Sequence, residues 1–423
     1  MSKGARSLLA RYIAVRDATE ALAAPLSAED QVLQSMPSAS PTKWHRAHTT
    51  WFFETFVLEP RGYVPVREEY KFLFNSYYEA LGPRHARPKR GILSRPSVSE
   101  IAEYRRVIDD RMIGLLSSSD EGSLMALEPL VALGLAHEEQ HQELLLTDIL
   151  HAFSESPLRP AYRDSSARPS ESKSGTRDPE VTFVPHEGGI VHVGHEDEGF
   201  SFDNEGPRHR VFLEPFALAS RPISFGDLRA FIEAGGYATP SLWLSAGYDR
   251  MAALGLVAPH GVTCEPGSLR AFTLDGTVDV DLAAPASHLD YFEADAIAHF
   301  LGGRLPTEAE WETFARRANP TVGNFRESNA LRARAPRAST PGEVCQLFGD
   351  VWEWTSSAYG PYPGFAPVAG AVGEYNGKFM VSQLVLRGGS ALTPVGHVRA
   401  SYRNFWPPDT GFQLTGARVA KSM

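Results

Sequence analysis

Cysteine is scarce in this chain. Cys264 and Cys345 are the only two in 423 residues, and they form neither a CxxC pair nor the even, spaced set of a disulfide framework. That argues against a disulfide-stapled secreted scaffold and fits a reducing, cytoplasmic compartment. Long apolar runs are also missing. No stretch approaches the roughly 18 residues of a membrane span. The opening MSKGARSLLARYIAVRDATEAL is charged throughout, with no apolar core of signal-peptide length. Nor is positive charge in excess: 41 Lys and Arg stand against 51 Asp and Glu, a formal charge of -10. Neither nucleic acid nor an anionic membrane is therefore an expected partner.

What is present falls into two halves with different periodicity. Residues 1–153 read as helical. SLLARYIAVRDATEALAAPL has helical apolar spacing, as do SVSEIAEYRRVIDDRMIGLL and LMALEPLVALGLAHEEQHQELLLTDILHAF. In SASPTKWHRAHTTWFFETFVLEP, Ser40 is placed to cap a helix and Pro41 suits its first turn. Trp44, His48, Trp51, Phe52 and Thr55 then share one face. Four such segments predict an up-and-down bundle, a fold that builds metal sites from facing side chains. Residues 154–180, rich in Ser, Pro and Arg, read as a linker or mobile loop. From 181 to 423 short β-type runs such as GGIVHVG, HRVFLEPFALA and QLVLRGGS alternate with helical stretches, which predicts a mixed α+β domain.

The segment LAHEEQHQELLLTDIL, residues 135–150, contains the H-E-x-x-H letters of a zinc peptidase. Residues four apart on a helix lie about 40° apart around its axis, so His137 and His141 can share one ion. The peptidase reading fails on the third ligand. Leu144 and Thr147 occupy the positions where the extended motif needs Gly and His. His151 is about 15 Å along the helix from His141, and Glu138 points about 100° away from His137. A better third ligand is His48, on the apolar face with Trp44, Trp51 and Phe52, where an unpaired imidazole would carry a desolvation cost. His45, three residues earlier, competes with it. Three neutral histidines suit zinc, iron or copper and leave coordination positions open.

WHRAHTTWFFE, FNSYYEALGPRHARPKRGILSRPS and HEEQHQELLLTDI in the first half resemble the EgtB-type sulfoxide synthases of ergothioneine biosynthesis. GGRLPTEAEWETFAR, LFGDVWEWTSSAY, GEYNGKFMVSQLVLRGGSALTP and RASYRNFWPPDTGFQLTGARVA resemble the second domain of that family. The resemblance implies a DinB-like four-helix bundle followed by a C-type-lectin or formylglycine-generating-enzyme-like α+β domain. It covers nearly the whole chain outside the linker. It implies Fe(II) held by His48, His137 and His141, with O2 as co-substrate. The reaction it implies joins the sulfur of a cysteine-type thiol to imidazole C2 of hercynine and oxidises that sulfur to the sulfoxide.

The same resemblance assigns further roles. Tyr77 and Tyr78 match the family branch that takes its proton donor from a tyrosine pair in the bundle. Arg87 and Arg90 are expected to clamp the carboxylate of the sulfur substrate, a task suited to guanidinium forks. That branch uses cysteine, the other γ-glutamylcysteine. Gln140, Asn404, Phe405 and Trp406 match residues that contact hercynine, in a cleft between the two halves. No methyltransferase segment follows, and Cys264 and Cys345 match no copper-binding pair of the formylglycine-generating enzymes. A selenoneine synthase, joining hercynine to a selenosugar, shares the architecture. A non-catalytic DinB/lectin-like binding protein is the reading of another class, and it predicts no bound iron and no turnover.

Overall fold

Helices start in this chain where the sequence offers caps. In the computed structural model, which describes residues 3–163, 181–196, 199–336, 342–367, 373 and 376–423, α4 (Val98–Ser118) opens on a Ser97–Glu100 capping box. In α5 (Glu121–Glu155) Asp120 accepts from Ser123 N, satisfying one of the otherwise orphaned N–H groups. With α1 (Lys3–Ala23), α2 (Thr42–Phe52) and the short α3 (Glu69–Phe74) they make up the first of two units. The units are Met1–Tyr162 with Pro367–Tyr375, and Arg163–Ala366 with Asn376–Met423. α5 runs on to Glu155, and the Tyr162 hydroxyl donates to Leu22 O at 2.7 Å. Residues 164–180 of the expected linker lie outside the described residues.

α2 is the centre of the bundle: every residue from Thr42 to Phe52 is buried. Its charged side chains are therefore matched individually, as burial demands. Lys43 Nζ donates to Pro96 O at 3.0 Å, and Arg46 pairs with Glu20 and donates to Gln31 Oε1. Ser40 does not cap the helix. Pro41 is the capping residue and supplies no side-chain bond, while the Ser40 hydroxyl accepts from Arg90. After Phe52 the chain widens into a π-helical turn, Phe53–Leu58, a local geometry often found at functional sites. Gly134 lets α5 approach there, since a Cβ at that position would stand 2.7 Å from the Phe53 ring and 2.8 Å from that of Phe52.

A buried ionic knot ties three helices together at Glu138, which is fully enclosed. It accepts from Arg16 Nη1 on α1 at 2.8 Å, from Thr19 Oγ1 at 2.6 Å and from Arg105 on α4. Burial alone would raise its pKa, but the Arg105 and Arg16 charges outweigh that and hold it down to about 2.

The second unit mixes small sheets and short helices. β1 (Phe183–His186) pairs antiparallel with β4 (Phe216–Ala219), and β12 (Ala420–Ser422) pairs with the other edge of β4. β2 (Gly189–Val193) and β3 (His209–Leu213) form a two-stranded ribbon, and β5 (Val262–Glu265), β6 (Ser268–Thr273) and β7 (Gly276–Asp279) a meander. A four-stranded sheet has the order β10 (Asn404–Trp406), β9 (Leu384–Arg387), β8 (Trp352–Ala358) and β11 (Thr415–Ala417), with β11 parallel to β8. α6 (Phe225–Glu233), α7 (Ser245–Leu254), α8 (Tyr291–Phe300) and α9 (Glu308–Ala315) complete it. Its interior holds buried ion pairs, Arg418 with Glu353 at 2.8 Å and Arg387 with Glu312 at 3.0 Å.

Candidate metal centre

α2 and α5 bring three imidazoles together. One ring nitrogen from each of His48, His137 and His141 lies within 4.8 Å of the others. The ring centroids are 4.9 Å apart for His48 and His137, 4.7 Å for His48 and His141, and 4.6 Å for His137 and His141. His48 is held on all sides. Trp44 stacks on one face of its ring at 4.5 Å and 16°, and Trp51 on the other at 5.6 Å and 17°. Those partners stand four residues before and three after His48, the spacing that aligns side chains on one helix face. Its Nδ1 donates to Phe74 O at 2.6 Å, so the lone pair is on Nε2.

Electrostatics keeps the cluster uncharged. Desolvation lowers the pKa of all three rings below the ordinary 6.5: His48 and His141 fall well below it, pushed further by their neighbouring histidines, and His137 falls to about 3. Neutral imidazoles are the form that binds metals. The spacing also fits. Two imidazole nitrogens bound to one ion at about 2.0–2.1 Å would stand about 3.0–3.4 Å apart, and His48 Nε2 and His137 Nε2 are 3.2 Å apart.

His45, which the sequence left in competition with His48, has both ring nitrogens engaged elsewhere. Nδ1 faces His141 Nδ1 at 2.8 Å, and Nε2 faces Asp148 Oδ2 at 3.0 Å. Asp148 was missed in the sequence, though a signal was there: it follows His141 by seven residues, two helical turns, and so shares its face. Glu138, the would-be peptidase base, is occupied by Arg16, Thr19 and Arg105.

Tyr78 is fully buried and Tyr77 half-buried, their rings 4.6 Å apart. Tyr78 lies 5.8 Å from Trp51, the ring that stacks on His48. Arg90 is buried with its guanidinium 3.4 Å from the centre of the Trp44 ring. It donates to two neutral hydroxyls, Ser40 Oγ at 2.8 Å and Ser76 Oγ at 3.1 Å. Burial and the charge of Arg87 pull its pKa well below the usual value. Among the described residues no carboxylate forms an ion pair with it, so this cation is energetically short of an anion. Arg87 is exposed and donates to Ser38 O. Gln140 is half-buried, beside His141.

Asn404, Phe405 and Trp406 belong to the second unit, in β10, all half-buried. Phe405 stacks on Tyr359 at 3.9 Å, and Trp406 meets Phe412 edge-on at 5.5 Å.

Comparison with known proteins follows the same division. The DinB superfamily model matches residues 11–145, and that of the sulfatase-modifying factor enzyme 1-like domain matches 167–343 and 317–423. The chain is thus a DinB-type helical domain followed by a sulfatase-modifying-factor-like α+β domain. It is 26% identical to the formylglycine-generating enzyme of Streptomyces coelicolor, over 63% of this chain and 94% of the relative. To the hercynine oxygenase of Mycobacterium tuberculosis it is 30% identical, over 91% of each chain. To that of Mycolicibacterium thermoresistibile it is 31% identical, over 91% of this chain and 88% of the relative. The chain belongs to the hercynine oxygenase family.

Proposed function

We propose that this protein is an iron(II)- and O2-dependent enzyme that couples hercynine to cysteine and leaves the product as a sulfoxide. The observation that carries this reading is the three-histidine cluster, with neutral rings and no carboxylate among them. Zinc has no redox chemistry, so a reaction with O2 calls for a redox metal, and imidazole donors suit iron. A ferrous ion held by His48, His137 and His141 would supply electrons to O2 and a Lewis-acidic seat for the thiolate.

The reaction needs no external reductant. The C2–H bond of hercynine and the S–H bond of cysteine break, and a C–S and an S–O bond form. One oxygen atom of O2 stays in the sulfoxide, and the other leaves as water with the two hydrogens.

The chain's own groups supply the rest. His48, clamped between two indoles and tethered to Phe74 O, cannot swing when substrate enters. Arg90 and Arg87 hold the carboxylate of the amino-acid donor, and for buried Arg90 this supplies the missing anion. A phenol of Tyr77 or Tyr78 gives and retrieves a proton at its Oη. Gln140 is a proposed contact of hercynine, its amide suiting the imidazole, and Asn404, Phe405 and Trp406 in the second unit carry an amide and aromatic faces of the kind that suits a quaternary ammonium.

The test is incubation of the full chain with Fe(II), O2 and hercynine, offering cysteine, γ-glutamylcysteine or a selenosugar in parallel, followed by mass analysis. The expected product is the hercynyl-cysteine sulfoxide. A product with selenium alone would move the reading to a selenoneine synthase. No product and no iron uptake would leave a binding protein.

A further inference from the structure

The two ring nitrogens of His45 have partners whose chemistry dictates where its proton sits. Asp148 Oδ2 already accepts from Ser40 N at 2.7 Å, and it lies 3.0 Å from His45 Nε2. A carboxylate has no hydrogen to give, so His45 Nε2 is the donor. In a neutral imidazole the other nitrogen is then a bare acceptor. That nitrogen, Nδ1, faces His141 Nδ1 at 2.8 Å. Two bare nitrogens would repel at this distance, so with His45 as the neutral acceptor it is His141 that carries the proton, on Nδ1, which leaves its lone pair on Nε2.

We propose that Asp148 and His45 are a positioning relay that locks His141 in the tautomer whose Nε2 is free to bind the metal ion. His48 reaches the same tautomer by a shorter route, through Phe74 O. The relay also touches the proposed substrate clamp: Ser40, whose N–H donates to Asp148, accepts at its hydroxyl from Arg90 at 2.8 Å. Partners behind a ligand histidine commonly fix its tautomer and make it a stronger donor. The inference rests on the reading of His48, His137 and His141 as metal ligands.

The experiment titrates the metal-free full chain with Co(II) under anaerobic conditions, reading its visible absorption, and then competes with Fe(II). His45→Phe removes the acceptor facing His141 while filling the space. His45→Asn restores one, because its Oδ1 stands near the place of the imidazole Nδ1. Asp148→Asn leaves an amide that can donate as well as accept, so the tautomer of His45 is no longer dictated.

Second-sphere losses of this kind run to about 10–100-fold in metal affinity, and that is expected for His45→Phe, with altered Co(II) bands. His45→Asn should recover most of the affinity, and Asp148→Asn should fall between. A purely structural role for His45 would not produce that rescue at equal thermal stability. Wild-type affinity and spectrum in His45→Phe, or no recovery in His45→Asn, would overturn the relay. Should His45→Phe fail to fold, undiminished affinity in Asp148→Asn overturns it instead. If the unaltered chain takes up neither metal, it is the three-histidine reading itself that fails.

Discussion

Replacing Glu138 by glutamine separates a structural carboxylate from a peptidase base. The side chain is fully enclosed and receives hydrogen bonds from Arg16, Thr19 and Arg105. In Glu138→Gln the amide would keep the volume but lose the charge and present N–H groups toward guanidinium donors. Breaking a buried pair by removing one partner costs about 3–5 kcal/mol. Depression of the Glu138 pKa from 4.5 to about 2 corresponds to about 3 kcal/mol. The lower end is expected, because Arg16 keeps Asp109 at 2.6 Å and Arg105 keeps Glu20 at 3.0 Å. For a unit of this size each kcal/mol lowers the midpoint by about 2–4 °C, so the helical transition, followed by far-UV circular dichroism, should fall by about 6–12 °C. Below that transition Co(II) affinity should be within a few-fold of wild type. An unchanged midpoint would refute the buried-knot argument.

Three further outcomes follow from the geometry. Gly134→Ala drives a methyl into the Phe52 and Phe53 rings, and overpacking of this kind costs about 1–3 kcal/mol; urea unfolding should show it, with weaker Co(II) binding as α2 is pushed from α5. At least one of Tyr77→Phe and Tyr78→Phe should slow sulfoxide formation by about 10²-fold or more while leaving metal affinity intact, and unchanged rates in both would remove the phenol from the mechanism. In the second unit, burial and the neighbouring Asp290 raise the pKa of Glu293 from 4.5 to about 8. The folded state holds this proton more tightly than the unfolded chain, so its stabilising contribution is lost as pH rises from about 4.5 through about 8. Glu293→Gln should flatten the stability–pH profile over that window, as measured by chemical denaturation at each pH.

The helical bundle, the α+β second half and the meeting of His48 with the 137/141 pair were legible in the sequence, because periodicity reports which residues share a face. The i, i+4 spacing of His137 and His141 fixes their common side whatever surrounds them. Periodicity within one helix says nothing of the rotation and depth at which two helices meet. That is why His45, about 60° from His48 on α2, remained a competitor to the preferred His48 until α5 was placed against it. The same holds for Glu138, whose role is set by Arg16 and Arg105 from two other helices, and for Ser40, a plausible cap that instead joins Arg90 to Asp148. The strands β6, β7 and β10 were not legible in the sequence, because short strands without a strict alternation of buried and exposed residues carry weak patterns. Local sequence determined the elements and the inventory of donors. Only tertiary packing decided which donors face each other, because hydrogen-bond partners across helices are chosen by distance in space and leave no periodic trace along the chain.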